Sequence, residues 1–164
     1  MNENSQPIFF PVSRFKLIVM SLVTFGFYEI FWFYKNWQLL KTATGREISP
    51  FWRTVFSGIF GYFLFKKIKF CAKSYCVSPK FSPFLLTIVW IGLNMCFRVP
   101  NPYGLVSNLS VIALLPVQER VNKLNCVAAR NHNPNSRFSA GNILTIAVGG
   151  SLTVLAIVGI LMPA

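Results

Sequence analysis

Between Phe15 and Trp37 the chain reads FKLIVMSLVTFGFYEIFWFYKNW, an apolar run that turns aromatic and then meets lysine. Leu, Ile, Val and Phe suit hydrocarbon, Trp and Tyr suit a headgroup layer, and Lys35 and Lys41 suit water. The run predicts a helix leaving a bilayer, over about Leu17 to Tyr34. Composition points the same way. The chain is 54% hydrophobic but only 12% charged, about half the charge of an ordinary soluble domain. So few charges do not cover that much apolar surface in water. Lipid does.

The rest of the 164 residues divides into further apolar segments within one domain, 1–164. Residues 1–13, broken by Pro7 and Pro11, read as a loose N-terminal tail. Gly45 marks a helix stop, and Ser49-Pro50 a helix start with Pro at the first helical position. The segment 51–65 has only Thr54 to Phe65 between Arg53 and Lys66, about 18 Å of helix against a hydrocarbon core of about 30 Å. Arg53, Ser57 and Gly61 form one stripe, opposite Phe56, Phe60 and Phe63. That pattern predicts an amphipathic helix lying at the interface, with a tilted span as the alternative. Phe81 to Phe97 predicts a third segment. A turn at Pro100-Asn-Pro102 leads to a fourth, 99–118, kinked by Pro116. Val117, Val121, Leu124 and Ala128 continue a helical register, with Gln118, Glu119, Arg120, Asn122 and Lys123 pointing elsewhere. Residues 118–141 thus read as a polar cytoplasmic extension and loop, ending where Ser139 caps the last helix. Residues 143–162 carry no charge and predict the clearest span. Its Ala147/Ser151 and Gly149/Thr153 pairs suit close helix packing.

The expected fold is all-α, a membrane helical bundle of four transmembrane helices plus one amphipathic interfacial helix; the alternative is five transmembrane helices. Charge sets the orientation. The chain carries 16 Lys+Arg against 4 Asp+Glu, net +12. With 51–65 lying flat, the loops 35–53, 66–80 and 118–141 share the cytoplasmic side and leave only Arg14, Lys16 and Arg98 outside, as the positive-inside rule prefers. Both termini then lie outside. The cations border apolar runs, so the expected partner is anionic lipid, not nucleic acid. Lys35, Lys41, Arg53, Lys66, Lys67, Lys69 and Lys73 are the expected contacts.

Chemistry is sparse. Glu29 falls inside the first expected span, where a carboxylate is costly and often marks an ion path. Asn94 and Arg98, four apart near the end of the third, complete a candidate intramembrane polar site. Cys71, Cys76, Cys96 and Cys126 lack metal-ligand spacing, and His132 is the one imidazole. One His and four acids leave no Ser-His-Asp set, no HExxH and no carboxylate pair. No catalytic residue, metal or cofactor is expected, and the chain reads as a non-enzyme.

The stretch TFGFYEIFWFYKNW (24–37) resembles the signature of a family of small bacterial inner-membrane proteins with a domain of unknown function. Their first span ends in a T-L-G-I-Y-x-x-x-W-x-Y-K/R run. Thr24, Gly26, Tyr28, Trp32, Tyr34 and Lys35 fill it, with Phe27 where the family usually has Ile or Leu. ISPFWRTVF (48–56), LLPVQERVNKLN (114–125) and NPNSRFSAGNI (133–143) are also similar. The resemblance implies a multi-pass protein of the bacterial inner membrane and carries over no catalytic or ligand residue. Physically, Gly26 would admit a neighbouring helix and the aromatics would set helix depth. The functional expectation is a lipid-contacting or partner-binding membrane module, with a homo-oligomer or a membrane protein as partner. The alternative is a small oligomeric channel or transporter using Glu29, Asn94 and Arg98.

Overall fold

The computed structural model describes residues 6–78, 80–99 and 103–161. Residues 1–5 of the expected tail, the Pro100–Pro102 turn and Met162 lie outside them. Every regular element among the described residues is helical: α1 (Arg14–Val23), α2 (Phe27–Thr44), α3 (Pro50–Val55), α4 (Ser57–Ser74), α5 (Pro83–Met95), α6 (Val111–Ala128) and α7 (Ala140–Leu161). Two 3-10 segments, Cys96–Arg98 and Tyr103–Ser110, lie between α5 and α6.

The expected first span is two helices. α1 ends in a Schellman turn: Gly26 N–H donates to Ser21 O at 2.9 Å and Phe25 N–H to Leu22 O at 3.3 Å. Phe25 (φ 51) and Gly26 (φ 85) are both left-handed, and the chain reverses. A straight helix from Arg14 to Asn36 would be about 33 Å long, yet Phe10 N–H reaches the Asn36 side chain at 3.0 Å. Gly26 therefore serves the turn. A Cβ there would meet nothing within 4 Å, so no neighbouring helix depends on its smallness.

The other expected spans also change. Among the described residues no helix is long and apolar enough to cross a membrane, so neither four nor five spans are seen as expected. The 51–65 segment breaks at Phe56, and α4 runs on through Lys66, Lys67, Lys69 and Lys73, which lie on a helix and not in a loop. Its stripe faces inward: Ser57 and Gly61 are buried, while Phe56 and Phe63 are exposed. α5 has 13 residues, about 20 Å. The fourth segment begins as 3-10 helix and becomes α-helix at Val111, with Pro116 inside. α7 starts at Ala140, three residues before the expected span 143–162.

Contacts fix the directions. Arg14 meets Glu119 at 3.3 Å, and Lys16 Nζ donates to Arg137 O and Asn135 Oδ1, both at 2.8 Å. At its other end Val23 O lies against Gly149, so α1 and α7 run side by side. α2 returns beside α6, with Trp32 Nε1 donating to Gln118 Oε1 at 2.6 Å. Gly61 sits under the Phe33 ring, so α4 runs with α2. Lys69 Nζ donates to Phe81 O at 3.0 Å, and Ile91 lies over Gly58, so α5 runs back. One end of the bundle thus gathers the start of α1, the ends of α2, α4 and α6, and the start of α7. The other end holds the Thr24–Gly26 turn, Phe56 and the 3-10 segments. The core between them is Trp32, Phe33, Phe65, Trp90, Leu114, Val117, Val121 and their neighbours.

Residues 6–13 are not loose. Phe9 and Val12 are fully buried. Asn125 Oδ1 accepts from Ile8 N–H at 3.1 Å and Phe9 N–H at 3.3 Å, and its Nδ2 donates to Phe9 O at 2.8 Å. Gln118 Nε2 donates to Phe10 O and Val12 O. An extended segment without a sheet must find partners for its backbone groups, and amide side chains on α2 and α6 supply them. Gln118 and Asn125, the first expected to point outward, are fully buried for this reason. The expected extension 118–141 is half helix: α6 continues to Ala128, and Val117, Val121 and Leu124 keep the register read from the sequence.

Candidate functional site

Glu29 lies in the first turn of α2 and is 1% exposed. Its Oε2 accepts from Trp90 Nε1 at 2.5 Å and its Oε1 from Ser110 Oγ at 2.8 Å. Both oxygens are thus engaged, and the helix N-terminus adds favourable field. The carboxylate ties α2, α5 and the 3-10 segment before α6 into one joint. Asn94 sits nearby but donates to Trp90 O, its own helix, at 2.9 Å. Glu29 and Asn94 are thus linked through Trp90, and Arg98 lies exposed in the 3-10 segment Cys96–Arg98 that follows α5. Trp90 stands between Glu29 and Asn94, beside a cavity of about 320 Å³ lined by Phe25, Ile30, Ser57, Asn94 and Ser107 among others.

The expected aromatic belt is also redistributed. Trp32 and Trp37 are fully buried and Tyr28 nearly so. Arg53 stacks its guanidinium 4.6 Å from the Trp37 ring and 5.3 Å from Phe60. It is a cation–π partner, and its charge faces aromatic rings before any lipid.

The remaining cations segregate. Because the α1–α2 turn reverses the chain, Arg14 and Lys16 join the end that carries the other basic segments. Among the described residues Arg98 is the one Lys or Arg at the opposite end. Lys35 lies 5.7 Å over Phe31 and donates to Gln38. Lys41 approaches Glu47 at 4.0 Å, Lys69 holds the Phe81 carbonyl, and Lys73 is exposed. Glu119 binds Lys123 at 2.8 Å and Arg14 at 3.3 Å. The Lys123 hydrogen bond and charge, with Arg120 and Arg14 adding less, hold its carboxyl below the usual range.

Lys66 and Lys67 share a different setting. They line a groove of about 670 Å³ between the end of α2 and α4, with Leu40, Thr44, Arg46, Phe63, Phe70 and Cys71. Phe63, Lys66, Lys67, Phe70 and Cys71 fall at i, i+3, i+4, i+7 and i+8, one face of α4. Leu40 and Thr44 form the facing stripe of α2. Arg46, just past the Gly45 cap (φ 61), was not among the expected lipid contacts. Its one sequence signal is its place directly after the helix stop. Among the described residues no cluster of His, Cys, Asp or Glu is placed to hold a metal.

No protein family, no curated protein and no solved structure matches the chain.

Proposed function

We propose that this protein is a non-enzymatic membrane module, a helical bundle that enters the bilayer from its basic end and contacts anionic lipid there. The observation that carries this is the segregation of surface. Phe84, Leu85 and Ile88 on α5, Ile143, Leu144, Val148 and Leu155 on α7, and Phe51, Trp52 and Ile59 on α3 and α4 are all exposed. Apolar faces of this extent mark contact with lipid or another protein. The cations collect at one end of those faces. Each Lys or Arg near an anionic surface adds about 1 kcal/mol.

In this reading α1–α2 and α3–α4 are shallow hairpins, and α7, 22 uncharged residues long, lays its exposed apolar face against the lipid. The resemblance in 24–37 supports placement in the bacterial inner membrane. Ala147 and Ser151 are on the α7 surface, Ser151 exposed and Ala147 beside it, and offer the place where a second copy or a membrane protein packs.

Flotation tests the reading. The full chain, reconstituted and mixed with vesicles, is expected to float with phosphatidylglycerol-containing bilayers and to resist alkaline carbonate. Lys66→Gln, Lys67→Gln and Lys69→Gln together are expected to lower the preference for phosphatidylglycerol and its salt sensitivity. Protein that stays monomeric in detergent-free buffer and fails to float overturns it.

A further inference from the structure

We propose that the groove between α2 and α4 is a binding site for one anionic phospholipid, its phosphate held by Arg46, Lys66 and Lys67 and an acyl chain laid along Phe63. This inference rests on the membrane reading above and adds a defined site to it. Three observations converge.

Charge is the first. Arg46, Lys66 and Lys67 surround one groove, and none has an acidic partner among the described residues; Glu47, next to Arg46, is 97% exposed and approaches Lys41 instead. Lys73, Lys80, Arg130 and Arg137 are exposed but do not line the groove, and several other cations of the basic end are engaged. Arg14 and Lys123 hold Glu119, Lys16 and Lys69 hold carbonyls, and Arg53 faces rings. An Arg beside two Lys offers a fork and two point charges to phosphate oxygens.

Shape is the second. The groove, about 670 Å³, falls within the range of ligand-holding clefts. Its other walls are Leu40, Thr44, Phe63, Phe70 and Cys71, mostly carbon and sulfur, with the Thr44 hydroxyl donating to its own helix at Leu40 O. A small hydrophilic anion has no use for those walls, and a neutral lipid none for the cations. A diacyl phosphodiester uses both.

Direction is the third. Along α4 the apolar side of the groove continues through Phe63 to Ile59, exposed at 46% and 64%, toward the end of the bundle that carries Arg98. The cations lie toward the basic end. A lipid in the groove would thus point its tail into the bilayer and its phosphate to the surface.

The experiment uses the full chain in two measurements. In native mass spectrometry from vesicles of equal phosphatidylglycerol and phosphatidylcholine, the unaltered protein is expected to retain one phosphatidylglycerol. Arg46→Gln, Lys66→Gln and Lys67→Gln together are expected to lower that retention at least tenfold. Lys80→Gln, Arg130→Gln and Arg137→Gln together are expected to leave it unchanged.

The second measurement needs no variant. Phosphatidylglycerol is expected to slow maleimide reaction at Cys71, inside the groove, relative to exposed Cys126. Phosphatidylcholine and inorganic phosphate are expected not to. Equal retention by both triple variants, or protection of Cys71 by phosphate or phosphatidylcholine as well, overturns the site while leaving membrane insertion intact. Failure to float with any vesicle overturns the membrane reading itself.

Discussion

The indole of Trp90 donates to the carboxylate of Glu29 at 2.5 Å, and together they join α5 to the first turn of α2. An ion path would need that carboxylate free to exchange partners. Here Ser110 holds its second oxygen. Trp90→Phe removes the donor and leaves a buried acceptor short of a partner, and is expected to lower unfolding stability by about 1–3 kcal/mol. Glu29→Gln, which keeps an acceptor oxygen, is expected to cost less. Denaturant unfolding in micelles ranks the two. Proteoliposomes are expected to show no ion flux from either the unaltered protein or the Glu29→Gln variant.

Asn125 makes three bonds to the backbone of Ile8 and Phe9. Asn125→Ala strands those groups inside the protein. The expected loss is about 1–3 kcal/mol. Hydrogen exchange should locate it, with the Ile8 and Phe9 amides losing protection before the α4 core does.

A Cβ built on Gly149 would collide with Val23 O, whereas one on Gly150 would meet nothing within 4 Å. The backbone on the Val23 side has no flexible end to move. Gly149→Ala is expected to push α1 from α7 and cost about 1–3 kcal/mol, with Gly150→Ala near neutral. Thermal unfolding of the pair is the comparison.

The reversed chain at Phe25–Gly26 places Gln6 at the same end as Cys76 and Cys126. In sealed vesicles, Gln6→Cys is expected to react with an impermeant maleimide from the same side as those two native thiols. Reaction from opposite sides would restore the straight helix and undo the hairpin.

The Glu119 carboxyl is held below its usual range by Lys123, Arg120 and Arg14. A depressed folded-state pKa contributes stability above the unfolded value and loses it as pH falls through the folded one. The Glu119 side chain is a third exposed, so the effect is discounted to about 0.5 kcal/mol. Glu119→Gln should therefore lower Tm slightly at pH 7, and the difference should close as the buffer is acidified below the ordinary carboxylate range.

Local punctuation was legible in the sequence. Gly45, Ser49-Pro50 and Ser139 mark helix ends where the structure has them, and the 117–124 register is the buried one. These signals lie within a few residues of their effect. The hairpin was not legible, because its first left-handed residue is Phe25, a type that rarely takes that conformation, and because an unbroken apolar run reads as one helix. The inward turn of Gln118 and Asn125 was hidden for another reason. Their partners are backbone groups more than a hundred positions away, and no periodicity reports a distant carbonyl. The groove joins stripes on α2 and α4 that are each ordinary alone, and only their facing makes Arg46, Lys66 and Lys67 a group.

The left-handed pair at Phe25–Gly26 also bears on how such a chain is made. A straight first helix would require Arg14 and Lys16 to be carried through the hydrocarbon during synthesis, each at a cost of a few kcal/mol. A chain that doubles back needs no such passage. On the membrane reading proposed above, the first hairpin would enter the near leaflet with Arg14 and Lys16 left on the side where the chain is made. On that reading, among the described residues Arg98 is the one cation at the leading end, beside the Thr24–Gly26 turn, and the one charge that the hydrocarbon side would have to take in.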